Sequence, residues 1–447
     1  MVLTAYPGAA LVGEYRLPGD KSLSHRAALF SALAHGESRI DNFLVAGVTR
    51  AMLNALRELG VEWDLQGDRL SLVGAGPESL RSPSSPLDCG SSATTLRLLA
   101  GALAASGKSV VLDGSEGLRR RPMDRIVAPL RRMGVEIEAG PGSTAPLVLA
   151  ARPEGLRLRA IEETLPVASA QVKSCLLLAG LAADGPCTLR EPGPSRDHTE
   201  RMLRSMGVQV ESRMLPPERE GGANQYLTRI EPPQVPLQPL RLSLPADIST
   251  AAFLIVAALV TPGSCLRLPG IGLNPTRTGL LDALAAMGAD IRIEPARQEA
   301  SEPVGDLVVT ASKLEGTEIS GSLVVRMIDE FPALAVAAAF ARGKTLVRQA
   351  EELRYKESDR IGALCAELRK LGVEAHESPD GFIIQGGGVR GGADVEAHGD
   401  HRLAMSLAVA GLASQQPVRV RGAEMSAESF PGFVPALQSL GAKLALE

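Results

Sequence analysis

Aromatic residues are scarce in this 447-residue chain, at 3% of the sequence with a single tryptophan. Proteins that bind single-stranded nucleic acid stack the bases on aromatic side chains, and this chain has few such side chains to offer. Positive charge is not in excess either, because 47 Lys and Arg face 51 Asp and Glu, for a net charge of −4. We therefore expect no nucleic-acid partner and no attraction to an anionic membrane surface.

Cysteine pairs and long apolar runs are also missing. The five cysteines are an odd number and show no C-x-x-C spacing, and the six histidines show no metal-ligand spacing with them. We expect reduced and mostly buried cysteines, no bound metal and no cofactor. Residues such as Arg97, Lys173 and Pro332 interrupt the apolar segments, which fall short of the roughly 20 residues that span a bilayer. The N-terminus resembles neither a signal nor a transit peptide, so we expect a soluble, cytoplasmic monomer without a membrane partner.

What the chain does contain is a repeat, Leu-x-x-(Leu or Met)-Gly-(Val or Ala). Its glycines are separated, by subtraction, by 74, 73, 81, 84 and 69 residues, and they are Gly60, Gly134, Gly207, Gly288, Gly372 and Gly441. The phrase is typical of the last turn of an amphipathic helix, a glycine in the left-handed conformation, and a following strand. The sequence therefore predicts six copies of one αβ unit.

Each copy also contains a helix that is apolar on all sides, and such a helix is buried. The predicted buried helices are Ser24–His35, Ser92–Ala105, Ser169–Ala183, Ser249–Val260, Glu330–Arg342 and His401–Ser414. Because the chain is too long for one ordinary core, six units divide into two domains of three. We expect an α+β fold.

The domain boundary is expected near a proline-rich stretch that ends at Pro245. A strand around Leu11–Leu17 would complete the C-terminal half. We therefore expect domain I to comprise residues 1–18 and 242–447 and domain II residues 19–241, with an active site in the cleft at the hinge. Glu218–Gly222 and Arg297–Gly305 are each expected to form an exposed hairpin tip, a loop of no known role.

Polar groups gather where the first three buried helices begin. Lys21, Ser22 and Arg26 can converge on an anion at a helix N-terminus, although a solvated Lys and Arg would fit as well. The small residues from Ser91 to Thr94 would free backbone amides for phosphate or carboxylate, although Ser91 and Ser92 also suit an ordinary helix N-cap. Ser169, Ala170, Gln171 and Lys173 form a similar set. Arg119 and Arg120 are interpreted as a solvated loop, and Ser195 as either a helix cap or a ligand group.

The C-terminal half contains Asp329 before a buried helix, the run Lys356–Arg360, and Arg402. On a helix, Lys356 and Arg360 would share one face. One interpretation is an ion-pair network in which Asp359 contacts Lys356 or Arg402. The other is a carboxylate acid and base beside an anion clamp.

In this order, Leu-Pro-Gly-x-Lys-Ser (17–22), Lys-Glu-Ser-Asp-Arg (356–360) and Asp-His-Arg (400–402) resemble the 5-enolpyruvylshikimate-3-phosphate synthase family of enolpyruvyl transferases, from Leu17 to about Pro431. The resemblance implies two domains, each of three βαβαββ units. It also implies a transferase of the shikimate pathway, which leads to chorismate and the aromatic amino acids. The reaction would move the enolpyruvyl group of phosphoenolpyruvate to the 5-hydroxyl of shikimate 3-phosphate, through a tetrahedral ketal, and release phosphate.

Residue roles follow from the resemblance alone. Asp329 would take the hydroxyl proton, Glu357 would protonate the methylene carbon, and Lys21 would also be catalytic. Shikimate 3-phosphate would contact Lys21, Ser22, Arg26, Ser169, Ala170, Gln171, Ser195, Asp329 and Lys356. Phosphoenolpyruvate would contact Lys21, Ala93, Arg121, Gln171, Arg360 and Arg402.

The chain departs from the family pattern at several positions. Ala93 replaces a common glycine, and its methyl group would narrow the phosphoenolpyruvate site, so we hypothesise tolerance to the inhibitor glyphosate. Ser91 replaces an asparagine, Ala170 replaces a second serine, and Glu428 replaces a lysine, so no role is carried to Glu428.

Three alternatives remain. A UDP-N-acetylglucosamine enolpyruvyl transferase would have a cysteine within the loop at Gly117–Arg121 and an asparagine in place of Ser22. A non-catalytic repeat scaffold would not need charged groups at helix starts. An RNA-end-processing relative disagrees with the acidic balance and the few aromatic residues.

Overall fold

The computed structural model describes residues 1–216, 224–294 and 297–447. The hairpin tip expected at Glu218–Gly222 lies outside these residues. The α-helices are α1 (Lys21–Leu33), α2 (Gly47–Glu58), α3 (Ala93–Ser106), α4 (Glu116–Arg119), α5 (Asp124–Arg132), α6 (Ala170–Gly180), α7 (His198–Ser205), α8 (Ile248–Val260), α9 (Gly279–Ala286), α10 (Ser322–Arg326), α11 (Phe331–Phe340), α12 (Arg360–Lys370), α13 (His401–Ala413) and α14 (Phe433–Ser439). Short 3-10 helices cover Pro77–Ser79, Glu351–Tyr355 and Ala423–Glu428.

The strands are short and alternate with these helices along the chain. They are β1 (Val2–Tyr6), β2 (Val12–Glu14), β3 (His35–Asp41), β4 (Trp63–Gln66), β5 (Arg69–Ala75), β6 (Leu87–Asp88), β7 (Val110–Asp113), β8 (Ile137–Gly140), β9 (Thr144–Leu149), β10 (Glu162–Thr164), β11 (Cys187–Glu191), β12 (Val210–Leu215), β13 (Gln225–Ile230), β14 (Arg241–Ser243), β15 (Cys265–Gly272), β16 (Asp290–Ile293), β17 (Arg297–Glu299), β18 (Glu302–Thr310), β19 (Glu318–Ile319), β20 (Lys344–Val347), β21 (Glu374–Ser378), β22 (Gly381–Gln385), β23 (Asp394–Glu396), β24 (Val418–Arg421) and β25 (Lys443–Leu446).

The chain divides into two compact units. The first unit comprises Met1–Pro18, Pro245–Gln298 and Pro303–Glu447, and the second comprises Gly19–Leu244 with Glu299–Glu302. Strand β1 pairs with β24 and β25, and β2 pairs with β15, so the N-terminal strands belong to sheets of the first unit. Residue 242 lies within β14, which pairs with β3 in the second unit.

The strands of the described residues form six sheets that share one pattern. In each sheet an edge strand runs parallel to its neighbour, and the next two pairings are antiparallel. The orders in the second unit are β14-β3-β5-β4, β6-β7-β9-β8 and β10-β11-β13-β12. Those in the first unit are β2-β15-β18-β16, where β17 also pairs with β18, β19-β20-β22-β21 and β23-β24-β1-β25. This sixfold pattern confirms the predicted α+β repeat.

The repeat glycines end their helices in the left-handed conformation. Their φ angles are +86°, +90°, +93°, +84°, +83° and +108° at Gly60, Gly134, Gly207, Gly288, Gly372 and Gly441. A side chain is strained at such φ values, which explains why glycine returns at this point of every copy. The strands after the first two glycines, predicted to begin at Val61 and Val135, begin two residues later, at Trp63 and Ile137.

Helices α1, α3 and α6 form the centre of the second unit, and α8, α11 and α13 form the centre of the first. All 13 residues of α8 are buried, as its uniformly apolar sequence predicts. Helices α3 and α6 pack so closely that a Cβ added to Gly101 would lie 2.2 Å from the carbonyl oxygen of Cys175.

Some local expectations differ from the structure. At Arg297–Gly305 the predicted hairpin is present, but most of the segment lies in its paired strands β17 and β18, and Ala300 and Ser301 form the turn. The N-terminal strand expected at Leu11–Leu17 is shorter, at Val12–Glu14. Cys265 is exposed, whereas the other cysteines are buried, and all five are reduced. Within the described residues, no helix is both long enough and apolar enough to cross a membrane.

Candidate active site

The first candidate cluster is built around the N-terminus of α1. The side chain of Asp20 caps this helix by accepting a hydrogen bond from the Leu23 amide at 2.9 Å, so that Lys21 and Ser22 occupy the first turn. Arg26 follows one turn later and is 2% exposed. Its Nε donates to Thr199 Oγ1 at 2.7 Å and its Nη1 donates to the Ser22 carbonyl at 3.0 Å. Arg26 is therefore a buried, bonded cation, which excludes the solvated alternative for this residue.

The second cluster joins α3, α6 and the loop that contains Arg121. The Gln171 side chain accepts a hydrogen bond from Arg97 Nη1 at 2.5 Å and donates one to Thr94 Oγ1 at 2.8 Å. Arg97 Nη2 also donates to the Pro122 carbonyl at 2.9 Å. Because Pro122 follows Arg121, one guanidinium ties three segments of the expected phosphoenolpyruvate set together. Arg97 was absent from the expected site.

Ala93 is the first residue of α3 and is 2% exposed. Ser92 caps the helix by accepting from the Thr95 amide at 3.0 Å. In the same way Ser169 caps α6, which begins at Ala170. Helix N-termini carry partial positive charge and unpaired amides, which favour an anion.

The third cluster is a buried ion network beneath Ser195. Lys173 Nζ lies 2.7 Å from Glu191 Oε1 and 2.8 Å from Glu200 Oε1, and all three side chains are at most 3% exposed. Burial alone would lower the pKa of Lys173, but the charges of Glu200 and Glu191 raise it above its ordinary value. Ser195 Oγ donates to Glu191 at 2.7 Å, while α7 is preceded by Asp197 as its N-cap residue. Ser195 is therefore held by Glu191 and is not a helix cap.

Arg119 and Arg120 are exposed and pair with Asp113 and Glu116. Such surface ion pairs contribute little to stability. The two side chains are solvated as predicted, but they do not lie in a loop, because Arg119 is the last residue of α4 and Arg120 is its C-cap residue. Arg121 is partly buried.

The first unit contains the other candidate cluster, centred on Asp329. This residue lies just before α11, with Glu330 as the N-cap residue and Pro332 in the first turn. Its Oδ1 is 3.5 Å from Lys356 Nζ and 3.4 Å from Arg360 Nη1. Its Oδ2 is 3.9 Å from Arg402 Nη2. One carboxylate thus faces three cations, an arrangement in which a carboxylate can act as a base beside an anion-binding surface.

Asp400 holds this cluster in place, and the expected site did not include it. It is fully buried, accepts from Arg360 Nε at 2.8 Å, and caps α13 by accepting from the Arg402 amide at 2.8 Å. Arg360 Nη2 also donates to Glu357 at 2.7 Å. Burial alone would lower the pKa of Arg360, but Asp400 and Glu357 raise it. The detectable signal was an aspartate directly before an apolar helix.

The run from Lys356 to Asp359 is not helical, contrary to the shared-face prediction. Asp359 caps α12 by accepting from the Ile361 and Gly362 amides, each at 3.1 Å, so the helix begins only at Arg360. Asp359 also pairs with Arg354 at 2.6 Å. The ion-pair interpretation of Asp359 with Lys356 or Arg402 is therefore wrong, because those cations face Asp329.

Comparison with known proteins decides between the alternatives. The family model for EPSP synthase (3-phosphoshikimate 1-carboxyvinyltransferase) matches residues 5–437. The chain belongs to the EPSP synthase family. It is 45% identical to the 3-phosphoshikimate 1-carboxyvinyltransferase of Methylococcus capsulatus, over 99% of this chain and 98% of that protein. The same identity holds for that of Geobacter sulfurreducens, over 99% of each chain.

Solved structures agree with this assignment. EPSP synthase from Acinetobacter baumannii is 38% identical, with a TM-score of 0.85 over 100% of both chains. The enolpyruvyl transferase NikO from Streptomyces tendae is 21% identical, with a TM-score of 0.77 over 99% of this chain and 98% of that one, and it shares the fold. The chain is therefore a transferase of the shikimate pathway with EPSP synthase activity, as the sequence motifs predicted.

His25 lies within the first candidate cluster, at the start of α1. We expect it to make the free energy of unfolding depend on pH. Burial, together with the charges of Lys21 and Arg26, lowers the pKa of His25 from 6.5 to about 4. Between these values the unfolded chain binds a proton that the folded chain does not, so stability is complete above pH 6.5 and is lost as the pH falls towards 4. We expect His25 to account for about 3 kcal/mol of this loss.

Urea unfolding of the wild type and of His25→Asn at pH 7 and at pH 4.5 tests this prediction. The wild type should lose more stability than the variant between the two pH values, since the other titrating groups are shared. Parallel losses in the two proteins would contradict it.

Among the described residues, one group has the geometry of metal ligands, namely Asp197, His198 and Glu302, with ligand atoms within 4.8 Å of one another. His198 Nδ1 lies 2.7 Å from Glu302 Oε1, and Arg201 Nε lies 2.9 Å from Asp197 Oδ2. A cation is thus already provided by Arg201, and these contacts describe an ion-pair cluster.

Proposed function

We propose that this EPSP synthase transfers the enolpyruvyl group of phosphoenolpyruvate to the 5-hydroxyl of shikimate 3-phosphate through a tetrahedral ketal. The observation that carries the mechanism is the Asp329 carboxylate, faced by Lys356 and Arg360 at 3.5 and 3.4 Å. A carboxylate in a cationic surround can accept a proton while the cations hold anionic substrates. Both substrates carry several negative charges, so the arrangement suits them.

In the proposed first step, Asp329 accepts the proton of the 5-hydroxyl group while the hydroxyl oxygen forms a bond to C2 of phosphoenolpyruvate. Glu357 donates a proton to C3, which becomes a methyl group, and the product is the ketal. In the second step, C2 loses phosphate, which takes up the proton held by Asp329, and the methyl group returns a proton to Glu357, which restores the double bond. Arg360 contacts both carboxylates, at 2.7 Å for Glu357 and 3.4 Å for Asp329, and so links the two proton-transfer groups.

The assignment of binding residues is part of this proposal. Lys21 serves both substrates and acts in catalysis. The other residues that bind shikimate 3-phosphate are Ser22, Arg26, Ser169, Ala170, Gln171, Ser195, Asp329 and Lys356. The other residues that bind phosphoenolpyruvate are Ala93, Arg121, Gln171, Arg360 and Arg402. We further propose that the enzyme acts as a cytoplasmic monomer, without metal or cofactor.

Phosphate release tests the reaction. Purified protein is incubated with phosphoenolpyruvate and shikimate 3-phosphate, and inorganic phosphate and the enolpyruvyl product are measured. The matched reactions contain shikimate, which lacks the 3-phosphate, or UDP-N-acetylglucosamine as the acceptor. We expect phosphate to be released only in the reaction whose acceptor is shikimate 3-phosphate. A folded protein that releases no phosphate with it, or releases it faster with UDP-N-acetylglucosamine, would contradict the proposal.

Ala93→Gly is expected to increase sensitivity to glyphosate. Ala93 is buried at the first position of α3, so its methyl group limits the space beside the proposed phosphoenolpyruvate site. Forcing extra volume into packed space costs about 1–3 kcal/mol, which corresponds to a fall of roughly ten- to hundredfold in the inhibition constant once the methyl group is removed.

The matched control is Ala105→Gly, which makes the same substitution near the other end of α3, about 18 Å along the helix axis. It carries a similar helix-propensity cost and should leave the inhibition constant unchanged. Equal sensitivity of Ala93→Gly and the wild type would refute the hypothesis.

A further inference from the structure

The imidazole of His25 joins three separate segments of the second unit. It is fully buried. Nδ1 lies 2.7 Å from the Lys21 carbonyl oxygen in the first turn of α1. Nε2 lies 3.1 Å from the Val48 carbonyl oxygen in α2 and 3.3 Å from Ser92 Oγ, the cap of α3. One side chain thus connects the Lys21 turn with the turn that presents Ala93.

The hydrogen bonds of Ser92 indicate which tautomer fits. Ser92 Oγ already accepts from the Thr95 amide at 3.0 Å and from Thr95 Oγ1 at 2.9 Å. Its own hydroxyl hydrogen therefore needs an acceptor, and His25 Nε2 provides one. The remaining nitrogen, Nδ1, then carries the proton and donates it to the Lys21 carbonyl, which is the shorter of the two contacts that His25 makes with carbonyl oxygens. In this tautomer the Val48 carbonyl oxygen, 3.1 Å from Nε2, receives no hydrogen bond from His25. A protonated imidazole would donate to Val48 and would turn the same N–H towards the Ser92 hydroxyl.

We propose that neutral His25 is a positioning residue for phosphoenolpyruvate, because it fixes the N-terminus of α3, with the Ala93 amide, against the Lys21 turn. This inference rests on the proposed function, which assigns Lys21 and Ala93 to that substrate. The charged groups that face His25 are Lys21 and Arg26. Their charges, together with burial, hold the pKa of His25 at about 4, so the neutral form persists at neutral pH.

Loss of His25 should affect the binding of the two substrates differently. The Ser92–Ala93 turn is assigned to phosphoenolpyruvate and not to shikimate 3-phosphate. Loss of the His25–Ser92 contact should therefore raise KM for phosphoenolpyruvate and leave KM for shikimate 3-phosphate unchanged. Damage to the core of the unit would instead affect both substrates.

Two substitutions each keep one of the two ring-nitrogen contacts of His25 and remove the other. His25→Asn keeps a donor near the Nδ1 position and loses the acceptor at the Nε2 position. His25→Gln keeps an acceptor that reaches towards Ser92. We expect His25→Asn to raise KM for phosphoenolpyruvate roughly three- to tenfold, the usual effect of one hydrogen bond. In His25→Gln, KM for phosphoenolpyruvate should stay within about twofold of the wild-type value, a smaller change than the loss of one hydrogen bond causes.

A double-mutant cycle with Ser92→Ala tests whether His25 acts through Ser92. Groups in contact give non-additive effects, so His25→Asn should add little to the KM change of Ser92→Ala. Ser31→Ala is the control, since Ser31 is a buried residue at the other end of α1 and should leave both KM values unchanged. Thermal unfolding of every variant identifies any that fail to fold.

The outcomes are distinguishable. An active wild type in which His25→Asn changes neither KM, or changes both equally, overturns the inference, as does additivity with Ser92→Ala. If His25→Asn does not fold, a His25→Gln variant that folds with a strongly raised KM for phosphoenolpyruvate overturns it too. A folded wild type that releases no phosphate overturns the proposed function instead.

Discussion

Asp329→Asn should lower kcat for phosphate release by roughly 10²- to 10⁴-fold, the contribution of a positioned general base. The asparagine keeps the shape of the side chain but cannot take the proton of the attacking hydroxyl. Lys356 and Arg360, at 3.5 and 3.4 Å from the carboxylate, remain available for the anionic substrates. The loss should therefore appear mainly in kcat, with a smaller change in KM.

Asp359→Asn is the matched control because it makes the same substitution in the neighbouring motif. Asp359 is 46% exposed in its side chain and pairs with Arg354, away from Asp329. Asparagine also serves as a helix cap, so α12 and Arg360 should stay in place and kcat should change little. A folded Asp329→Asn enzyme with kcat within tenfold of the wild type would rule out Asp329 as the base.

Features that depend on neighbouring residues in the chain could be predicted from sequence. A glycine after an amphipathic turn produced the left-handed caps, such as Gly60 and Gly372, because the requirement is local. The buried helices were found within a few residues of their ends, since a run that is apolar on all sides has no solvent face. The largest differences are at the start of α1, which is Lys21 instead of Ser24, and at the end of α6, which is Gly180 instead of Ala183.

Partners that are distant in the sequence could not be predicted. Arg26 bonds to Thr199, 173 residues away, and Arg97 bonds to Gln171, 74 residues away. No spacing rule joins such positions. The Lys356–Arg360 error has a different source, because helix periodicity was applied across a residue, Asp359, whose side chain starts a new helix. Family resemblance supplied residue names, while the contacts that orient those residues came from the fold.

Lys173→Met should lower the free energy of unfolding by about 3–5 kcal/mol, since removing one partner leaves buried charge uncompensated. Lys173 is the cation shared by Glu191 and Glu200 at 2.7 and 2.8 Å. Lys173 Nζ donates a hydrogen bond to Glu191 Oε1. Within the part of the chain that the structure describes, neither Glu200 oxygen accepts a hydrogen bond, so the contact between Lys173 and Glu200 is purely ionic. Methionine has nearly the same length and would fill the space without the charge.

The cluster has two carboxylates for one ammonium group, so the two possible removals are not equivalent. Glu200→Gln leaves a balanced Lys173–Glu191 pair and should cost no more than about 1.5 kcal/mol, the ordinary contribution of one hydrogen bond. Lys173→Met should also raise KM for shikimate 3-phosphate, because Glu191 holds Ser195 at 2.7 Å and loses its own anchor. Urea unfolding with the steady-state constants measures both effects. Equal destabilisation by the two variants would show that the ammonium does not hold the network together.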